Sequence, residues 1–173
     1  MKPVRAAVSA LALVLALLLG ACAQDSGSPG TGMVVNGVAI PARTIDRLTA
    51  AVERVIHGSR GDALDIVVSN LVVGQLADQT IRERNLDITQ ADVDAVIAKS
   101  RMRELAADPQ ANPVAQAYGR WTVVTGHLTE QDQIDLGSHL TVTLNPRYGV
   151  WDMQGFRVDQ APGSLSRLDP YVP

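Results

Sequence analysis

Proton transfer, metal binding and nucleophilic attack each need particular side chains close together, and this chain holds few of them. Its three histidines, His57, His127 and His139, fall on separate segments, without the paired spacing a zinc site uses. The acid pairs Asp92/Asp94 and Asp132/Asp135 lie near expected helix starts, where negative charge opposes the helix dipole. They read as solvated helix faces, and not as general acid and base. No glycine-rich phosphate loop follows a strand. The reading is therefore a non-enzyme with no catalytic residues, no metal and no cofactor. One other cluster stands out. The stretch TVTLNPRYGVWD, residues 141–152, places Arg147, Tyr148 and Trp151 together in a chain whose aromatics make up only 3 %. Two readings fit it: a structural clasp, or an aromatic-and-arginine surface beside a sheet edge that captures a peptide.

The single cysteine suggests a different chemistry. MKPVR precedes the apolar run AAVSALALVLALLLGAC, which gives the cationic start, apolar middle and small-residue end of a secretory signal. The run is too short to span a bilayer comfortably as a stable helix. Leu19-Gly20-Ala21-Cys22 resembles the bacterial lipobox, which implies signal peptide 1–21 and a lipid on Cys22, with palmitate among its acyl chains. The expected location is the cell membrane, lipid-anchored on the extracytoplasmic face. A lone cysteine also excludes a disulfide within the chain. Residues 22–33 read as a flexible tether, and ten residues of Gly/Ser/Pro-rich chain reach about 18 Å.

The elements that must position these residues are mostly helices. Apolar residues make up 46 % of the chain, and the scarcity of aromatics leaves the core to Leu, Val, Ile and Ala, which suits helix on helix. The net charge is −3, and no basic tract invites nucleic acid. Ile45, Leu48, Val52, Val55 and Ile56 predict a helix over 42–57, with Gly58 to stop it. Residues 62–84 carry apolar side chains nearly all round, as a buried helix does. Thr89 with Asp92 opens a helix through residue 105 in capping-box fashion. DPQANP breaks the chain at 108–113. A stripe of Val114, Ala117, Tyr118, Trp121, Val124 and Leu128 follows, and Thr129 with Asp132 starts a short helix ending near Gly137.

Two strands flank these helices. MVVNGVAIP sets β-branched residues on either side of Asn36-Gly37, a turn-forming pair, and HLTVTL alternates with period two until Pro146 ends it. Each strand needs a partner, and pairing residues 34–40 with 140–144 supplies both. Residues 34–158 then form one domain, and 159–173, with three prolines, a loose tail.

VVNGVAIP, RERNLDITQADVDAVI and VTLNPRYGVWD, in this order, resemble the SurA N-terminal-like domain family, in particular its single-domain actinobacterial lipoproteins. The resemblance covers most of residues 34–152. It implies a mainly α fold, a helical chaperone-like unit closed by a small β-sheet between its N- and C-terminal strands. Many relatives insert a parvulin-type isomerase domain before the closing segment, and the residues between Leu128 and His139 leave no room for one. The expected partners are unfolded or extended polypeptide and the membrane, through the anchor on Cys22. The alternative is a structural adaptor lipoprotein with one defined envelope partner.

Overall fold

The computed structural model of the chain describes residues 30–159. Cys22, the signal peptide and most of the tether lie outside them, as do residues 160–173. Within them the protein is mainly helical, with two small antiparallel sheets.

The chain enters through a hairpin of β1 (Thr31–Val35) and β2 (Val38–Pro41). Asn36 and Gly37 both take positive φ, 47° and 80°, the geometry a two-residue turn needs to match strand twist. The hairpin is not alone. β3 (Val142–Leu144) lies antiparallel along the other side of β1, in the order β2-β1-β3. The two ends of the domain are therefore paired, as their need for partners required. β1 starts at Thr31, inside the stretch assigned to the tether, because Thr31 pairs with Pro41 and is itself buried.

The helices between follow the sequence pattern in their order, with local departures. α1 (Ala42–Ile56) buries Ile45, Leu48, Ala51 and Val52. α2 (Arg60–Arg84) begins two residues before the apolar run, because Ser59 and Asp62 form a full capping box. At 25 residues it is about 38 Å long, and it packs against α1, α5 and both sheets. α3 (Gln90–Ala98) opens on the Thr89–Asp92 box but stops early. At the bend the Ser100 hydroxyl donates to the Ile97 carbonyl at 2.9 Å and accepts from the Met102 amide at 3.0 Å. This side chain takes over backbone bonds that would continue the helix, so residues 90–107 form α3 and a separate α4 (Arg103–Ala107).

α5 (Asn112–Gly126) crosses α2 closely. A Cβ on Gly74 would stand 2.6 Å from the Cβ of Ala117. α5 turns Val114, Ala115, Ala117, Gly119 and Val124 inward, while the expected stripe members Tyr118, Trp121 and Leu128 are only half-buried. Small residues took the tight contacts because large ones would hold the helices apart. α6 (Glu130–His139) has the Thr129–Asp132 box but buries no residue. A final hairpin of β4 (Val150–Asp152) and β5 (Arg157–Asp159) was not foreseen. It lies on α2, where the Val158 amide donates to the Asp65 carboxylate at 2.7 Å. Asp159, assigned to the tail, belongs to this hairpin.

Candidate functional site

The segment between β3 and β4 is folded by local rules. The Asn145 side chain accepts from the Arg147 amide and donates to the Thr31 carbonyl at 3.0 Å, tying the turn to β1. Pro146 starts a single 3-10 turn, and Gly149 follows at φ 116°. A side chain there would be strained, and its Cβ would lie 2.5 Å from the Asp159 carbonyl oxygen.

This turn carries Tyr148 onto α1, where its ring is buried and its hydroxyl lies 3.0 Å from both the Ala42 carbonyl and the Asp46 carboxylate. The Arg147 guanidinium donates to Asp46 and to the Tyr148 hydroxyl, with its carbon 4.5 Å from the tyrosine ring centroid. Burial pushes the phenol's pKa up, and hydrogen bonds to Tyr148 and then Asp46 raise that of Arg147. Neither group can move a proton near neutral pH. Trp151 is 8 % exposed, meets Phe156 edge to face at 5.9 Å and donates its indole N–H to the Met153 sulfur. Tyr148 and Trp151 thus belong to the hydrophobic core with Met33, Val35 and Ile45. The structure brings Arg147, Tyr148 and Trp151 together in sequence order but offers only the guanidinium to solvent.

The histidines stay apart. His57 caps α1 with a left-handed backbone, His127 follows α5 and His139 ends α6, and all three are exposed. Among the described residues, no three His, Cys, Asp or Glu side chains cluster to hold a metal ion. Among them too, no helix is long and apolar enough to cross a membrane.

Sequence reasoning missed one concavity. A cleft of about 590 Å³ opens between the end of α1, the start of α2, the α3–α4 bend and α5. Its floor is Val55, Ile56, Ile66, Met102, Leu105 and Tyr118, and Lys99, Arg101 and Glu104 stand at its rim. A smaller notch of about 490 Å³ shares that rim and adds Arg103. The cleft exists because α3 breaks at Ser100, and no Pro or Gly marks that break in the sequence. The available clue was Lys99-x-Arg101-x-Arg103, three cations in an acidic chain.

An apolar floor with a charged rim can hold an extended chain segment or a small amphipathic ligand. No protein-family model, curated protein or solved structure matches this chain.

Proposed function

We propose that the protein is an extracytoplasmic, lipid-anchored, non-catalytic module that holds unfolded or extended polypeptide, a member of the SurA N-terminal-like domain family without the isomerase domain. The observation that carries this reading is the apolar cleft at the α3–α4 bend, lined by that bend and by α1, α2, α4 and α5. The geometry of Tyr148 and Trp151 favours the clasp role for that segment. Peptide capture then falls to the cleft, and the lipid on Cys22 keeps the domain at the membrane surface.

Two measurements test this. A client protein aggregating on dilution from denaturant should be protected at equimolar protein, and absence of protection at every ratio would favour the adaptor role. Labelling cells with a fatty acid should mark the chain but not its Cys22→Ser variant, and equal labelling of both would remove the anchor.

A further inference from the structure

The bend between α3 and α4 displays more positive charge than its local structure accounts for. Lys99, Arg101 and Arg103 are all exposed, and among the described residues none of them makes an ion pair. Lys99 caps α3 at its carboxyl end, where a cation suits the helix dipole. That argument does not extend to Arg103, which is the first residue of α4 and stands at the helix end where a cation is disfavoured. Glu104 is the one acid on this rim, and it too is unpaired. The concentration is notable in a chain of net charge −3. It sits where the apolar cleft opens into its polar notch, through the shared residues Lys99, Ser100, Arg101 and Glu104. Ser100 fixes the bend at both sides, so the cations project from a held turn.

We infer that this cleft selects extended polypeptide segments in which apolar side chains are followed by carboxylates, the apolar part lying on Met102, Leu105 and Tyr118 and the acids meeting Lys99, Arg101 and Arg103. The inference rests on the polypeptide-holding reading and adds charge selectivity to it. Concavity decides against a bilayer as the occupant. The floor residues are half-buried or buried in a cleft, whereas a flat anionic surface would need protruding apolar side chains beside the cations. Among the described residues, the large exposed apolar ones, Val38, Ile134, Val150, Met153 and Phe156, lie on the hairpins and α6.

The test is fluorescence anisotropy on the full chain with two labelled ten-residue peptides, one bearing Leu and Phe followed by three Asp or Glu, the other its Asn/Gln counterpart. Exposed ion pairs are each worth roughly two- to fivefold, so the acidic peptide should bind about tenfold more tightly. The difference should shrink in 0.5 M salt and vanish in the Lys99→Gln/Arg101→Gln/Arg103→Gln variant, whose changes are on the surface and whose circular dichroism should match the parent. Met102→Ser should weaken both peptides alike. Equal binding of the two peptides would overturn the charge selectivity and leave the polypeptide-holding reading standing. Client protection without binding of either peptide would remove the cleft as the site. Loss of both protection and peptide binding would overturn the two readings together. Binding to phosphatidylglycerol vesicles but not to the peptides would assign the rim to a membrane and refute the inference.

Discussion

Replacing Trp151 by alanine separates a clasp from a ligand platform. The indole is 8 % exposed and shares the core with Tyr148 and Val158. Truncating a buried Trp or Phe to Ala typically costs about 3–5 kcal/mol, a cavity contribution included. Loss of the edge-to-face contact with Phe156 adds about 0.5–1.5 kcal/mol in pairs of this kind. Trp151 lies on a three-residue strand near the chain end, so the β4–β5 hairpin can settle inward and refill part of the space. The expected loss is therefore about 3 kcal/mol, at the low end of the range. For a domain of this size that lowers the thermal midpoint by about 10 °C. The assay is thermal unfolding followed at 222 nm for the helices and by near-ultraviolet circular dichroism for aromatic packing. Coincident transitions at the lower temperature mean that the hairpin and helices melt as one unit. An unchanged midpoint with intact aromatic signals would refute the reasoning, because a residue whose loss costs nothing is not part of the core.

Gly74→Ala should destabilise by about 1–3 kcal/mol in urea unfolding although alanine favours helix, because its Cβ would stand 2.6 Å from that of Ala117 and α2 and α5 must separate; a stabilised variant would show that the crossing is looser than described. Asn36→Ala should cost about 1–2 kcal/mol by the same measurement, since it removes an acceptor from the Thr141 amide, a donor to Gln79 and a residue suited to positive φ; no change would mean that the turn does not hold β3. The Asp132 carboxyl is held down to about 2 by hydrogen bonds from Thr129 and Arg84, and depression means that its stabilising effect is complete above an ordinary aspartate's pKa of about 3.9. That effect is lost as pH falls through about 2, so carbon-13 NMR should show the carboxyl titrating there and Arg84→Met moving it upward; a midpoint near 3.9 in the parent protein would refute the cap geometry.

Much of the frame was legible because single residues declare it. Thr89 with Asp92, and Thr129 with Asp132, mark helix starts by reciprocal hydrogen bonds, and both boxes form. The pairing of β1 with β3 followed from backbone groups that cannot remain unpaired. Three features were hidden. The Ser59–Asp62 box carries the same signal as the others but encloses Arg60 and Gly61, which do not look like the start of an apolar helix. The break at Ser100 depends on one hydroxyl competing for backbone bonds, which apolar spacing through Val93, Val96 and Ile97 does not register. The β4–β5 hairpin has strands of three residues, too short for period-two alternation to show, and its turn relies on an Asp152 side chain accepting from the Gln154 amide. The candidate cleft was lost with the break that creates it. The aromatic cluster was visible, but composition alone could not say whether Tyr148 and Trp151 face inward.

The seam between β1 and β3 also sets an order of events in time. Asn36 bonds to Thr141 at a separation of 105 positions, whereas the helices between them meet over shorter stretches of chain. Contacts between distant segments form late, because the chain must find its two ends before any bond rewards the search. The helices can therefore collect as a loose layer while β1 keeps one edge bare, and the arrival of residues 142–144 completes the core in the step that also seats Tyr148 and Trp151. A chain built this way stays unlocked until residues 142–151, close to the end of the described part, are in place.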